Sequence, residues 1–426
     1  MTAKLPGAVR LVDIERPLRA IEDVTPYAWT RVFVMDRGTL IGSTDIGNCH
    51  APISLTRLRD SISNGLAETL LRRALERHVR VDAPKPLPAD ASVSIVVPTC
   101  NRPDDLRTCL TALEEQRHER EIEIIVVDNR PGDGSPTPGI AAAFQHVTLI
   151  EERKPGLSYA RNAGFAAATG DIVIAIDDDV TVPPGWLERL IAPFTRPGVM
   201  AVTGNVLPKE LETPSQSQFE AYGGLGKGFT RLEADGEWFR SRRSAVPTWN
   251  LGATANAAFR STIFADPAIG MLDEALGAGM PTGCSEDTYL FYKILKANHV
   301  IVYEPTAWVW HRHRRDRGAL RQQLHSYSKG HVAYHLTTLL RDGDRRALIR
   351  LAYTLPRDFL KRVYHTARGW SDYPVSLILV EIAGALAGPW ALWQSRRRVR
   401  RFGPGARRSG EHVVPLEGSI TQTPAA

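Results

Sequence analysis

Two stretches of sequence decide the fold: Val93-Ser-Ile-Val-Val-Pro-Thr-Cys-Asn-Arg102 and Ile172-Val-Ile-Ala-Ile-Asp-Asp-Asp179. Each begins with an apolar, largely β-branched run and ends in polar residues. Such runs are typical of strands that are buried on both faces of a parallel sheet. A third run, Glu123 to Val127, ends at Asp128, and helical patterns separate the three. The sequence therefore predicts an α/β fold.

Polar residues follow these strands where each strand ends: Thr99, Asp128 and the triplet Asp177-Asp178-Asp179. In an open parallel sheet, ligands bind beyond the carboxyl ends of the strands, so these side chains are predicted to line one crevice. Taken alone, Thr99 is equally well interpreted as a turn residue.

The aspartate triplet carries a sharper signal. Three adjacent carboxylates repel one another unless a cation compensates their charge. Hard divalent metals bind oxygen ligands and bridge diphosphates, and Asp177 and Asp179 can face the same side of a turn. The competing interpretation is a solvated acidic loop.

The chain divides into four predicted segments. Before the sheet, Asp36-Arg37-Gly38 lies between two short strands as in a hairpin, and leucines at helical spacing follow. A proline-rich run at 82–90 is the predicted linker. The predicted domains are a small α+β module at 1–86, the α/β domain at 92–315, a helical, basic, membrane-associated region at 316–402, and a disordered tail at 403–426.

Composition is that of a soluble globular protein: 426 residues, 43% hydrophobic and 23% charged. The formal net charge is +6, and arginines concentrate after His311. The four cysteines show no zinc spacing and are predicted to be reduced thiols. The first twenty residues show no signal-peptide core, so a cytoplasmic location is expected.

One apolar stretch, Val375 to Trp393, complicates that expectation because it is barely long enough to span a bilayer. Glu381, Pro389 and basic flanks on both sides argue against a spanning helix. A segment lying on the inner face of the cell membrane fits better, with the arginine run after it as an anionic-surface contact. The alternative is an ordinary helix packed in the core.

In order, six motifs resemble the GT-A-fold glycosyltransferases of family 2 and cover about 92–315. They are Val96-Val97-Pro98-Thr99-Cys100-Asn101-Arg102, Val126-Val127-Asp128-Asn129, Gly156-Leu157-Ser158-Tyr159-Ala160-Arg161-Asn162-Ala163-Gly164, Asp177-Asp178-Asp179, Ser285-Glu286-Asp287 and Trp310-His311-Arg312-His313. The resemblance implies a Rossmann-like, mixed, mainly parallel sheet, and an inverting, metal-dependent transferase that uses a nucleotide-diphosphate sugar.

The resemblance also implies a role for each matching residue. Pro98, Thr99, Arg102, Asp128 and Asp178 would border the donor nucleotide, with Asp128 accepting a hydrogen bond from its base. Arg161 would lie near the diphosphate, although by its own pattern it could be a surface helix residue.

The metal and the base follow in the same way. Asp179 would bind Mn²⁺ or Mg²⁺ directly, and His311 would be a further metal ligand or a diphosphate contact, with His313 as a competitor for the histidine position. Asp177 would hold the ribose of the donor or the water shell of the metal. Asp287, preceded by Glu286, resembles the general base that deprotonates the acceptor hydroxyl. The competing interpretation is that Ser285 caps a helix whose N-terminus favours the two acids.

On the acceptor side the resemblance is looser, with Trp249 and Gly252 in the matching loop. The glycine-rich segment Tyr222 to Gly228 is either a mobile loop over the acceptor or a plain connection. The acceptor is predicted only as a hydroxyl compound.

Two other functions fit parts of the sequence. A nucleotidyltransferase of related fold would need a glycine-rich basic loop after the first strand, which Pro98 to Arg102 lacks. A non-catalytic nucleotide- or membrane-binding module would not need Asp179, Asp287 and Arg161. Nucleic acid is not expected as a partner, because no aromatic platform is interleaved with the arginines.

Overall fold

A computed structural model describes residues 5–79, 86–116 and 120–408 of the chain. Its N-terminal part contains a three-stranded sheet in the order β1-β2-β3, with β1 parallel to β2, followed by two helices. The elements are β1 (Gly7–Asp13), β2 (Trp29–Asp36), β3 (Thr39–Ile46), α1 (Leu55–Gly65) and α2 (Ala67–His78). The predicted linker at 82–90 lies partly outside the described residues.

The hairpin predicted around Asp36-Arg37-Gly38 is present as β2 and β3. Arg37 and Gly38 both have positive φ, 51° and 67°, which is the geometry of a tight two-residue turn. The predicted leucine helix is α2, but Leu71 and Leu75 are exposed rather than packed. Strand β1 and helix α1 were not predicted.

A nine-stranded sheet follows, in the order β10-β12-β9-β11-β7-β4-β5-β6, with β8 paired to β12. Its strands are β4 (Val93–Thr99), β5 (Ile122–Asp128), β6 (Val147–Glu151), β7 (Ile172–Ile176), β8 (Val180–Thr181), β9 (Val199–Pro208), β10 (Leu232–Ala234), β11 (Asn256–Arg260) and β12 (Val300–His311). The helices between them are α3 (Pro103–Glu114), α4 (Thr137–Ala141), α5 (Leu157–Ala167), α6 (Trp186–Ile191), α7 (Pro214–Tyr222), α8 (Gly236–Arg240) and α9 (Glu286–Lys296).

The sheet is mixed, as the predicted GT-A fold requires. Strands β6, β5, β4 and β7 run parallel, β11 is antiparallel to its neighbours β7 and β9, and β12 is parallel to β9. The carboxyl ends of β7, β4 and β5 therefore meet at one edge, where Asp177, Thr99 and Asp128 follow one another across the sheet.

Alternating residues of the central strands enter two separate cores, one on each face. Val96 and Val127 belong to the core shared with α5 and α9, whereas Val97 and Val126 belong to the core shared with α3 and α6. The continuous apolar runs in the sequence reflect this double burial.

The last part of the chain is helical, as predicted. It comprises α10 (Arg317–Asp342), α11 (Arg346–Ile349), one π-helical turn at Arg350–Thr354, α12 (Leu355–Ala367) and α13 (Val375–Phe402). Helix α13 lies against α10 at close range, since a Cβ on Gly384 would come 2.3 Å from the His325 carbonyl oxygen and a Cβ on Gly388 2.5 Å from Val332. Small residues at these two positions allow the helices to approach.

Helix α13 contains the apolar stretch predicted at 375–393. By length and composition it is the single described helix that could cross a membrane, but 39% of its most apolar window is buried inside the protein. Glu381 is buried and accepts two hydrogen bonds from Arg362, at 2.6 and 2.8 Å. The acid that argued against a spanning helix is therefore neutralised by the protein itself.

The arginine run after α13's apolar part is not uniformly free. Arg396 makes two hydrogen bonds of 2.8 Å to Asp273, which corrects the expectation that all five arginines contact a surface. Arg397, Arg400 and Arg401 are exposed. Of the predicted tail 403–426, Gly405 and Arg407 donate hydrogen bonds to Glu274, and 409–426 lie outside the described residues.

Candidate functional site

A cavity of about 1770 Å³ opens at the carboxyl edge of the sheet, between the sheet and the C-terminal helices. Its sheet side contains most of the predicted site residues, which we call the sheet wall: Pro98, Thr99, Arg102, Arg161, Asp177, Asp178, Asp179, Trp249, Gly252, Glu286, Asp287 and His311. Of the predicted residues, Asp128 and His313 do not line the cavity.

The aspartate triplet after β7 is tied to the end of β4. Asp178 accepts a hydrogen bond from Thr99 Oγ1 at 2.8 Å, and Arg102 Nη1 donates to both Asp178 and Asp179, at 3.1 and 2.7 Å. Burial raises the pKa of Asp178 to about 6, although Arg102 opposes the shift. Thr99 and Arg102 thus organise the triplet, which is not a solvated acidic loop.

Asp179 has one oxygen without a partner. Its Oδ1 is buried and accepts no hydrogen bond, and it lies 3.3 Å from His311 Nε2. Burial lowers the pKa of His311, which favours the neutral imidazole that binds metals. A carboxylate oxygen and an imidazole nitrogen that face each other in this way form half of a cation site.

The described residues contain no ready group of three or more histidine, cysteine or acidic side chains that could hold a metal ion. Asp177, predicted beside the metal, instead accepts a hydrogen bond of 2.5 Å from Arg161. His313 is turned away from the triplet, because its Nε2 lies 2.9 Å from Glu220 Oε1. The histidine that faces the aspartates is His311, which was the preferred prediction.

Arg161 lies at the base of the cavity and joins two of its acids. Its side chain is 2% exposed, and its guanidinium donates to Asp177 and, at 2.7 Å, to Glu286. Burial raises the pKa of Glu286, and the neighbouring Asp287 adds to the shift, while Arg161 opposes it. The position of Arg161 is therefore that of a bridge between the end of β7 and the start of α9, not of a surface helix residue.

Asp287 lies at the start of α9 and lines the cavity. Its Oδ1 accepts from the Thr288 amide at 2.6 Å, and its Oδ2 accepts weakly, at 3.4 Å, from the Thr254 amide. Ser285 precedes the helix with a φ of 80°. It therefore occupies the N-cap position of α9, with both acids in the first turn as the competing interpretation has it, but its side chain makes no capping hydrogen bond.

Asp128 is buried below the cavity, 1% exposed, and organises a loop. It accepts hydrogen bonds from the Arg130 amide at 2.8 Å and from Ser135 Oγ at 2.7 Å. The next residue, Asn129, lines the cavity and fixes the turn before α5, since its side chain bonds Lys154 and Gly156. Asn129 belongs to one of the six sequence motifs, but this role was not predicted.

The predicted acceptor residues also line the cavity. Trp249 meets His331 edge-on, with ring centroids 4.7 Å apart. Gly252 has a φ of 113°, and a Cβ there would lie 2.5 Å from Thr203, so glycine is required. The glycine-rich segment Tyr222 to Gly228 follows α7 and lines the same cavity.

Sequence reasoning missed the opposite side, which we call the helical wall: Tyr327 and Lys329 from α10, Arg350 and Arg362 from the π turn and α12, and Glu381 from α13. Arg362 is paired with Glu381, and Arg350 with Asp358 at 2.6 Å. The available signal was a lone acid within an apolar helix, α13, preceded by a basic amphipathic helix, α12.

The domain that contains this site is similar to known glycosyltransferases. Residues 94–265 match the sequence profile described as glycosyl transferase family 2. The pre-mycofactocin glycosyltransferase of Mycobacterium tuberculosis is 31% identical over 266 residues, which are 61% of this chain and 50% of that protein. Glycosyltransferase AglE of Haloferax volcanii is 34% identical over 120 residues, which are 27% of this chain and 39% of that protein.

Among solved structures, the mannosyltransferase PcManGT from Pyrobaculum calidifontis, in complex with GDP-Man and Mn²⁺, aligns with 78% of this chain and 96% of its own, at 18% identity and a TM-score of 0.48. The chain spans about half the length, or less, of the two curated relatives. Residues 94–265, which match the family profile, extend from β4 to β11 and include the aspartate triplet and Arg161. The central part of this chain, residues 94–265, is thus similar in sequence to glycosyl transferase family 2.

Proposed function

We propose that this chain transfers a sugar from a nucleotide-diphosphate sugar to a hydroxyl acceptor, with inversion at the anomeric carbon. The observation that carries the proposal is the buried Arg161, which joins Asp177 at the donor side to Glu286 at the base side. The donor site and the base are therefore held in one rigid arrangement, which supports in-line displacement.

The donor is proposed to lie across the carboxyl ends of β4, β5 and β7. Pro98, Thr99 and Arg102 border that region, and Asp128 holds the loop 129–135 that follows β5. A nucleotide base that enters here could also bond Asp128 if the loop opens. Asp178 supports Thr99 and Arg102 from below.

Mn²⁺ or Mg²⁺ is the proposed cofactor, and the residues present fit it. Asp179 Oδ1 is buried without a hydrogen-bond partner and faces His311 Nε2, so these two atoms would be the protein ligands. The remaining ligands would come from the donor's diphosphate and from water. A bound cation would offset the charge of the leaving nucleotide diphosphate.

Asp287 is the proposed general base. Glu286 is committed to Arg161, whereas Asp287 faces the cavity at the N-terminal end of α9. The Asp287 carboxylate would take the proton of the acceptor hydroxyl as its oxygen attacks the anomeric carbon. One displacement of this kind inverts the configuration, because the acceptor enters opposite the leaving diphosphate.

The function is tested by nucleotide release from a panel of UDP- and GDP-sugars with Mn²⁺, followed by proton NMR of the product. A sugar linked with the anomeric configuration opposite to that of the donor is expected. A product that retains the donor's configuration would exclude the single-displacement mechanism.

A location at the cytoplasmic face of a membrane is proposed as well. On α13 the apolar side chains Leu379, Leu386, Trp390 and Trp393 lie on one stripe at helical spacing, opposite the face packed on α10, and all four are exposed. On α12 and the π turn, Tyr353, Leu360 and Tyr364 are exposed at similar spacing. Exposed aromatic and apolar stripes beside basic residues are suited to the surface of an anionic bilayer.

This location predicts that the variant Leu386→Glu/Trp390→Glu no longer floats with vesicles containing phosphatidylglycerol. Its donor turnover should be unchanged, because neither side chain lines the cavity. Exposed arginines such as Arg397 each add about 1 kcal/mol of salt-sensitive attraction. Flotation equal to that of the unchanged protein would overturn the proposed membrane surface.

A further inference from the structure

A chain of hydrogen bonds leads away from His311 on the side opposite the cavity. His311 Nδ1 lies 3.1 Å from His313 Nδ1, and His313 Nε2 lies 2.9 Å from Glu220 Oε1. At the other end, His311 Nε2 lies 3.3 Å from Asp179 Oδ1. Glu220 on α7, His313 just after β12, and His311 at the end of β12 are thus linked in series, and His311 faces Asp179, which follows β7.

Burial makes this chain rigid. The His313 side chain is fully buried, and its ring meets Phe219 edge-on at 4.8 Å. Glu220 can only accept, so His313 Nε2 is its donor. This hydrogen bond holds the His313 ring, whose Nδ1 meets His311 Nδ1, so that His311 presents its Nε2 to Asp179 on the opposite side of its ring.

Glu220 is held from outside the sheet domain. Its Oε2 accepts a hydrogen bond from Arg31 Nη1, on strand β2. Arg31 Nε and Nη2 donate to Asp45 on β3, at 2.8 and 2.9 Å, and this two-point contact holds the guanidinium in place. The N-terminal hairpin therefore reaches the rear of His311 through Glu220 and His313.

We propose that Arg31 is a positioning residue for His311, and that it acts through Glu220 and His313 to raise the affinity of the site for a divalent cation. The inference rests on the proposed function, in which His311 and Asp179 bind the cation. It gives the N-terminal module a role in the site, because residues that orient a metal-binding histidine set how well its ring meets the metal.

The test compares Arg31→Met with Arg10→Met. Arg10 is a matched control, because it is also an arginine of the N-terminal sheet and pairs with Asp23, not with Glu220. UDP and GDP are titrated by calorimetry into each full-length protein, once with Mn²⁺ and once with a chelator. We expect Arg31→Met to weaken nucleotide binding in the presence of Mn²⁺ by about 10-fold, as is typical when a residue that orients a metal ligand is lost. Nucleotide binding in the presence of the chelator should be unchanged.

The outcomes are distinct. Absence of Mn²⁺-dependent binding in the unchanged protein would refute the proposed function itself. Normal binding there, with equal Mn²⁺ dependence in Arg31→Met and Arg10→Met, would overturn the inference alone. If Arg31→Met does not fold, Glu220→Ala takes its place, because this variant removes the acceptor of His313. It should lose at least as much Mn²⁺-dependent nucleotide binding. An unchanged Mn²⁺ dependence in Glu220→Ala would equally overturn the inference.

Discussion

The sheet wall and the helical wall of the cavity both carry buried charges, but they differ in whether acidic groups remain available to a ligand. In the sheet wall, Asp178 and Glu286 are paired with guanidinium groups, while Asp179 Oδ1 has no hydrogen-bond partner and Asp287 faces the cavity. In the helical wall, Arg362 and Glu381 satisfy each other. The first wall is suited to bind and react, and the second to hold the helices in place.

The largest effect is expected from Asp287→Asn. Turnover should fall about 10²-fold or more, as for the loss of a general base, because the amide cannot accept the hydroxyl proton. Donor binding by calorimetry should survive, and Asp60→Asn, on α1, is the matched control. Near-normal turnover would remove Asp287 from the mechanism and would weaken the contrast between the two walls.

Asp179→Ala should abolish the Mn²⁺-dependent part of nucleotide diphosphate binding, so that affinities with Mn²⁺ and with chelator become equal. The physical reason is the loss of the buried oxygen that faces His311. Calorimetry on the nucleotide that binds the unchanged protein measures this. Persisting Mn²⁺ dependence would mean that other residues hold the cation.

Arg362→Met should act on stability instead. It leaves the buried Glu381 with Tyr373 as its remaining partner, at 2.8 Å. Breaking a fully buried ion pair costs about 3–5 kcal/mol, and the cost here should be lower, about 2 kcal/mol, because Arg362 is 36% exposed. Urea unfolding should report this loss, while binding of the nucleotide diphosphate stays unchanged.

The double variant Arg362→Met/Glu381→Met is the control for that prediction, because it removes both charges and should recover most of the stability. If the single variant lost donor binding in its folded state, the helical wall would take part in recognition of the donor.

The smallest effect concerns pH. Burial lowers the pKa of His335 well below its usual value, so the folded protein keeps the ring neutral, whereas the unfolded chain takes up a proton below about pH 6.5. Stability is therefore lost as the pH falls, by up to about 1.4 kcal/mol per pH unit. Between pH 6.5 and 5, the urea midpoint of His335→Phe should change less with pH than that of the unchanged protein. Replacement of the exposed His146 by Gln should leave this pH dependence as it is.

The sheet wall could be predicted from sequence because the end of each apolar run shows where a strand ends. An apolar run such as Ile172 to Ile176 fixes where the strand stops, and parallel pairing then brings Asp177 next to Thr99. What could not be predicted is how each side chain is engaged. Arg161 joins residues 16 and 125 positions away, and only the folded chain reveals such pairings.

The helical wall was beyond sequence reasoning for a different reason. Amphipathic patterns give the face of a helix but not its neighbour, so the pairing of Arg362 with Glu381 was hidden. Ser285 takes the predicted N-cap position, but its positive φ and the missing side-chain hydrogen bond could not be predicted from residue propensity. The domain boundaries remain predictions.

The contact between Arg31 and Glu220 spans 189 residues, and Phe33 packs in one cluster with Trp308 near the end of β12. During synthesis at about 5–20 residues per second, the N-terminal hairpin is made some tens of seconds before its partners on β12 emerge. Contacts of such high sequence separation also slow folding. Phe33 therefore lacks its packing partner Trp308 until β12 has been synthesised. A chaperone would protect this protein most during that interval.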